Sequence, residues 1–409
     1  MAAKRRGNLA KPAGMISLAR EAAFRILMRV ERGAHSTDLL REHSTVLEAR
    51  DAALLSELVL GCLRRQAQLD YFLSTLAGRR PADLDVEVRL ALRLGIYQLR
   101  HLERVPAHAA VHESVELVRR ARKASATGLV NAVLRRAGRA DVQWPDEATE
   151  LSMPDWLLNK WREDFGAEIA RRIAEAFLHA PERFAHVPPG NEPVAIAGGL
   201  QPTEVQGCFQ VPAGVRTSFR HQDISSQAVI RLLDLAGGRS FLDLCAAPGN
   251  KTAQALETGI AAVACDRELQ RIREVELPGC RRVVLDATRP LPLRQAFDRV
   301  LVDAPCSGTG TLGRNPEIRW RIRPEDLRRQ QERQCGILRN ALTALAPGGR
   351  LVYSTCSLEH EEGEDVVDRV LSENRRLLEL EQSWRRLPGV DRGDGFYAAV
   401  ILSRKSASG

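Results

Sequence analysis

From Asp223 onward, short apolar runs recur at intervals that suit repeated strand–helix units. They are Phe241–Leu244, Ala261–Cys265, Arg282–Leu285, Arg299–Val302 and Arg350–Tyr353, most of them separated by helix-like stretches. This alternation predicts βαβ units and a parallel sheet with helices on both faces, closed by a last strand over Phe396–Leu402. Ligands of such sheets sit outside the carboxyl ends of the strands. The residues that follow each run are therefore the candidates for chemistry.

Those positions carry an ordered set. Phe241-Leu-Asp-Leu-Cys-Ala-Ala-Pro-Gly-Asn-Lys-Thr252 reads as a strand, a small-residue turn and a helix start. Ala246, Ala247 and Gly249 let the backbone approach a ligand closely, and helix-start amides would face a carboxylate or phosphate. Asp266 ends the next run and suits the two hydroxyls of a ribose, while Asp286 follows the third run and suits an exocyclic amine. Asp303-Ala-Pro-Cys306 and Ser354-Thr-Cys356 then place a cysteine just beyond each of two strands. A thiolate that adds to carbon 6 of a cytosine makes carbon 5 nucleophilic, and a carboxylate such as Asp303 beside the ring nitrogen would stabilise the adduct. A second thiol or other base must then help remove the carbon-5 proton. Spacing alone leaves open which cysteine attacks.

Gly308-Thr-Gly310-Thr-Leu-Gly313 formally matches a dinucleotide GxGxxG. That fingerprint should open a helix directly after its strand, whereas Arg314-Asn-Pro316 follows here, so the match reads as coincidence.

The other half of the chain has a different texture. From Ile16 to Gly138 the apolar residues recur at helical spacing, as in Leu18, Ala22, Phe24, Ile26, Leu27 and Val30, which predicts an all-α bundle of six or seven helices. Residues 1–150 hold 25 Lys and Arg against 18 Asp and Glu, and the remainder is nearly balanced at 35 against 34. A basic module beside a neutral one suits phosphate gripping by the first and chemistry by the second. Between Pro181 and Arg220 prolines and glycines such as Pro188, Pro189, Gly190, Pro193, Gly198, Gly199, Pro202 and Gly207 break the chain into a small α/β element. The organisation expected is a basic, flexible tail over 1–15, an all-α domain over 16–145, linker helices and the α/β element over 146–222, and a Rossmann-like α/β domain over 223–405.

Other classes lose ground. The eight cysteines form no CxxC pair, which points to reduced thiols of a cytoplasmic protein and away from a structural zinc site. His108 and His112 lack the glutamate of a metalloprotease HExxH, so no metal is expected. No apolar run approaches the roughly 20 residues that span a bilayer, so no membrane role is expected.

Three runs, LDLCAAPGNKT, DAPCSGTG and YSTCSLEHEEGE, resemble in order the main signatures of the bacterial RsmB/Sun (Fmu) family, within the wider NOL1/NOP2/Sun family of RNA 5-methylcytosine methyltransferases. Leu94-Gly-Ile-Tyr-Gln98, Val105-Pro-Ala-His-Ala-Ala-Val-His-Glu113 and Gly128-Leu-Val-Asn-Ala-Val-Leu-Arg135 are similar to a NusB-like RNA-binding domain. The resemblance implies S-adenosylmethionine as cofactor, held by the loop Cys245, Ala246, Ala247, Pro248, Gly249, Asn250 and Lys251 and by Asp266, Asp286 and Asp303. It implies Cys356 as nucleophile, Cys306 as the thiol that assists product release, and a monomer that acts on one cytosine of small-subunit ribosomal RNA before assembly is complete. Three departures stand out. Asn250 replaces a second glycine and would suit a left-handed position; Gln222–Gln227 keeps the pattern partly; Phe184-Ala-His-Val187 lacks the arginine and asparagine expected near an RNA-contacting strand. Rival readings are a non-catalytic RNA-binding or assembly factor, a 5-methylcytosine enzyme of another RNA, an exocyclic-nitrogen methyltransferase and a nicotinamide oxidoreductase.

Overall fold

The structure is a computed structural model that describes residues 16–373 and 376–404. The basic segment 1–15 lies outside the described residues. Two compact units form: one runs to Asn159 and takes in Arg314–Glu317, and the other comprises Lys160–Gly313 and Ile318 onward.

The first unit is helical, as its apolar periodicity requires. It contains α1 (Leu18–Glu31), α2 (Ser36–Ser44), α3 (Ala49–Arg64), α4 (Gln66–Ala77), α5 (Val86–His101), α6 (Ala107–Arg120), α7 (Thr127–Ala137) and the single turn α8 (Glu147–Glu150). Helix α1 shows the logic: Ala19, Ala23, Ile26, Leu27 and Val30 are buried at i, i+4, i+7, i+8 and i+11. The segment 146–159, expected as linker, packs with this unit instead. Trp144 stacks edge-on to Phe72 at 5.5 Å, and the Ala67 amide donates to Ser152 Oγ at 3.0 Å, so the chain stays fastened to α4 past Pro145.

The second unit opens with the end of α9 (Asp155–Phe165) and with α10 (Ala167–Ala176). A small antiparallel sheet follows, of β1 (Phe184–His186), β2 (Gln201–Pro202), β3 (Cys208–Gln210) and β4 (Arg220–His221) in the order β2-β3-β1-β4, with α11 (Glu192–Ala197) beside it. Strand β1 is central and buried, and its His186 is held by Glu257 at 2.8 Å. That explains why this strand carries no long basic side chain.

After α12 (Ile224–Arg231) come β5 (Ser240–Asp243), α13 (Asn250–Leu256), β6 (Ala261–Asp266), α14 (Leu269–Arg273), β7 (Arg281–Val284) and β8 (Phe297–Asp303). Then follow α15 (Ile318–Arg321), α16 (Pro324–Thr343), β9 (Leu345–Thr355), α17 (Glu364–Ser372), β10 (Leu378–Arg386) and β11 (Phe396–Ser403). The seven strands lie in the order β10-β11-β9-β8-β5-β6-β7. Strands β5 to β9 are mutually parallel, as their spacing predicted. The closing strand departs from that expectation: β11 runs antiparallel to β9, inserted between it and β10, so the sheet is mixed. Both faces are covered by helices. Leu242, Val300, Val302, Leu351 and Tyr353 pack with α16 and α17, while their neighbours Phe241, Leu301 and Val352 pack with α12 and α13.

No described helix is long and apolar enough to cross a membrane.

Candidate active site

Chain order reverses across the sheet between β5 and β8, and a parallel sheet opens a crevice at that point beyond its carboxyl ends. Asp243, Asp266 and Asp303 are the last residues of β5, β6 and β8, and Cys356 follows the last residue of β9. A cavity of about 240 Å³ lies at this edge, and Ala247, Asp266, Asp286, Asp303, Cys306 and Cys356 help to line it.

The loop after β5 is shaped by its small residues. The Ala246 amide donates to the Cys265 carbonyl at 2.8 Å and the Gly249 amide to the Ala246 carbonyl at 2.7 Å, which folds the chain back before α13. Gly249 has φ +99°, a conformation that L side chains avoid. The left-handed residue is thus Gly249. Asn250, expected to suit such a position, is instead the first residue of α13, and its Oδ1 accepts from Arg220 Nη1 at 3.3 Å. Cys245 and Ala247 line the cavity, whereas Ala246, Pro248, Gly249, Asn250 and Lys251 do not. Lys251 acts at one remove, because its Nζ lies 2.6 Å from Asp303 Oδ2. Ser354 Oγ donates to the other Asp303 oxygen at 2.8 Å. Both contacts hold the carboxylate plane beside the cysteines.

Cys306 and Cys356 come together, with their Sγ atoms 3.3 Å apart. The Cys306 thiol is held well above the usual range, first by its bond to Cys356 and then by burial, and either sulfur can be the donor of that bond. Asp286 accepts from the Thr288 hydroxyl and amide, and these bonds hold its carboxyl below the ordinary range.

An adenosyl group needs apolar walls for its ring and acceptors for its diol and amine. Leu285 and Ile337 supply the first and Asp266 and Asp286 the second around one cavity, so the residues fit S-adenosylmethionine. The remaining sequence candidates fall elsewhere. His108 and His112 line a groove of about 520 Å³ in the helical unit, beside Arg135 and Arg139. No group of three metal-ligating side chains occurs among the described residues. The Gly308–Gly313 run forms a short 3₁₀ turn, and Gly310 packs against backbone: its amide donates to the Cys356 carbonyl at 3.0 Å and its carbonyl accepts from the Gly395 amide at 2.8 Å.

Sequence reasoning missed Ser354, Arg271 and Glu362. Arg271 donates to the Ala247 carbonyl at 3.1 Å and stands 3.7 Å from Asp266. Only the serine, directly before Thr-Cys at a strand end, offered a sequence signal.

Asp243 is fully buried, and burial pushes its carboxyl up to about 7 although Thr252 Oγ1 donates to it at 2.7 Å. A carboxyl raised in the folded state is protonated there between about pH 4 and 7 while its unfolded counterpart is ionised. Folding stability due to this group is therefore present at low pH and lost as pH rises through that window. Asp243→Asn keeps the acceptor for Thr252 and should lessen the fall. Urea unfolding from pH 5 to 8 should show a shallower decline than wild type, by on the order of a few kcal/mol across the window. Glu359, which burial also pushes up to about 7, should keep some slope in the variant. Identical slopes in both proteins would show that Asp243 is already ionised.

The chain is similar to known proteins. The model of the 16S rRNA methyltransferase RsmB/F family matches residues 230–402, and that of the NusB family matches residues 17–139. The chain is 31% identical to ribosomal RNA small subunit methyltransferase B of Klebsiella pneumoniae, over 96% of this chain and 99% of that one. It is 37% identical to the protein of the same name from Thermus thermophilus, over 86% and 87% of the two chains. The crystal structure of PH0851 shares the fold, with a TM-score of 0.79 at 21% identity over 96% of this chain and 99% of that one. The chain belongs to the 16S rRNA methyltransferase RsmB/F family.

Proposed function

We propose that the protein methylates carbon 5 of a cytosine in small-subunit ribosomal RNA through a covalent cysteine adduct. The observation that carries the reading is the pair of thiols 3.3 Å apart beside Asp303, at the edge that fits the methyl donor. S-adenosylmethionine, when bound, supplies an electrophilic methyl group. Cys356, once its thiol proton has passed to a base, attacks as the thiolate, and its sulfur electron pair forms a bond to carbon 6. The ring electrons then concentrate at carbon 5. Asp303, fixed by Lys251 and Ser354, faces the ring nitrogen and steadies the charge that develops there. Once carbon 5 is substituted, its proton leaves to a base, the 5,6 double bond re-forms and the bond from sulfur to carbon 6 breaks. Cys306, in contact with Cys356, assists that release.

The target base must leave its stack to reach Cys356, a cost of a few kcal/mol that RNA contacts must offset. The NusB-like unit suits that task, since Arg135, Arg139, His108, His112 and Asn131 gather around one groove.

Labelled S-adenosylmethionine and unmodified small-subunit RNA provide the test, with the product nucleosides identified. 5-Methylcytidine at one site is expected. N4-Methylcytidine would move the reaction to the exocyclic nitrogen, label only in another RNA would change the substrate, and tight binding without transfer would make the chain an assembly factor.

A further inference from the structure

A buried carboxylate outside the lining of the cavity connects both cysteine loops. Glu362 is fully buried in the turn that precedes α17. Its Oε1 accepts from the Ser307 amide at 2.8 Å and from Gln334 Nε2 at 3.1 Å. Its Oε2 accepts from Ser357 Oγ at 2.6 Å and from Ser307 Oγ. Ser307 follows Cys306 and Ser357 follows Cys356, so one carboxylate holds the residue beside each thiol. The Glu362 carbonyl in turn accepts from Tyr353 Oη at 2.8 Å, which ties the turn back to β9.

Regular sheet bonding does not set this geometry. Pairing of β8 with β9 ends at Asp303 and Ser354, and the Ala304 amide still donates to the Ser354 carbonyl at 2.8 Å. Beyond that point β8 leaves the ladder and Cys306 lies on a loop, while β9 stays paired with β11 to Thr355, the residue before Cys356. The Gly310 amide ties the two loops at the Cys356 carbonyl, and a spacing of 3.3 Å at the thiols needs a further constraint on the residues beside them. Four donors converging on one carboxylate supply it, and the low polarity around Glu362 makes each of these bonds strong. Removal of the carboxylate leaves the Ser307 amide buried without its acceptor, so the loop would shift to find another.

We infer that Glu362 is the positioning residue of the reaction, a clamp that fixes the spacing of Cys306 and Cys356. The inference rests on the proposed function only in taking these two thiols as the reacting pair. Glu362 does not line the cavity. Its loss should therefore lower kcat while the KM values for RNA and for S-adenosylmethionine stay within about twofold of wild type. Misplacement of a reacting group by about 1 Å costs roughly a hundredfold, which sets the expected fall for Glu362→Ala. Glu362→Gln keeps the length and one acceptor oxygen and should recover about tenfold of that loss.

The second readout needs no RNA and no methyl donor. A monofunctional trivalent arsenical, phenylarsine oxide, condenses with two thiols only when they are close, releasing water as two sulfur–arsenic bonds form. Wild type should be captured rapidly, with Cys306→Ser as the background from the other cysteines, and Glu362→Ala should be captured at least about tenfold more slowly. If Glu362→Ala does not fold, Glu362→Gln and the Ser307→Ala/Ser357→Ala pair carry the same two measurements, each with smaller losses. Wild-type kcat in these variants, wild-type arsenical capture, or a loss that appears in KM instead of kcat would each overturn the clamp. Failure of the wild-type protein to methylate cytosine would instead overturn the proposed function and leave the arsenical test of spacing standing.

Discussion

Cys356→Ala is expected to lower methyl transfer by at least about 10⁴-fold, because removal of the proposed covalent nucleophile removes the pathway and not merely a contact. Cys306→Ala should behave differently. The thiol that forms the bond to carbon 6 is still present, so attack and methylation proceed, while release slows and RNA remains attached to the protein. Denaturing gels should then show a slow-migrating, nuclease-sensitive band with Cys306→Ala that is absent from wild type and from the Cys306→Ala/Cys356→Ala double variant. With the Sγ atoms 3.3 Å apart, the proposed mechanism lets both sulfurs act on one ring, which makes the two phenotypes distinct. Full activity of Cys356→Ala would remove the covalent mechanism. Accumulation of adduct by Cys356→Ala in place of Cys306→Ala would exchange the two roles.

Gly310→Ala should be strongly damaging although the residue takes no part in chemistry. A β-carbon there would meet the Gly395 carbonyl carbon at 2.7 Å and the Cys356 carbonyl oxygen at 2.9 Å, and both are backbone atoms that no rotamer change can move aside. The two backbone bonds of Gly310, to Cys356 and from Gly395, would be stretched with them. Overpacking of this kind costs typically 1–3 kcal/mol and occasionally more. Because the displaced carbonyl belongs to Cys356, activity should fall by about a hundredfold even in the folded fraction. Urea midpoints and single-turnover rates on the same samples would separate the two losses. A variant of unchanged stability and rate would show that the loop bearing Cys356 can yield at this point.

That glycine also shows where the sequence could be read and where it could not. The Gly308–Gly313 run looks like a phosphate cradle and was discounted on its surroundings, yet nothing local revealed that Gly310 supports the cysteine loop, since its partner Gly395 is remote in the chain. The parallel strands were legible because each is a short apolar run with a chemically distinct residue at its end. Strand β10 was not. Its Leu-Glu-Leu-Glu-Gln-Ser-Trp-Arg-Arg run is mostly exposed at the sheet edge, where charge protects against unwanted pairing and blurs the apolar signal. The antiparallel entry of β11 escaped for a related reason: an apolar strand buried on both faces looks the same in either direction. Asn250 was assigned one position too early in the backbone path, since a loop's left-handed residue depends on where its helix begins. Glu362 was hidden within an acidic run that reads as a solvated helix start, and only tertiary structure brings Ser307 and Ser357 to it.

The position of β11 between β9 and β10 has a consequence for how the protein is made. The residues of the candidate site are all made once Cys356 is synthesised, yet the flank of β9 stays unpaired until Phe396–Ser403 has been made and has emerged. During that interval the nascent chain presents an apolar strand with unsatisfied backbone groups, the kind of edge that recruits other strands. Synthesis and maturation are thereby ordered in time: the active edge is assembled from early residues, and its completion waits on the last strand described.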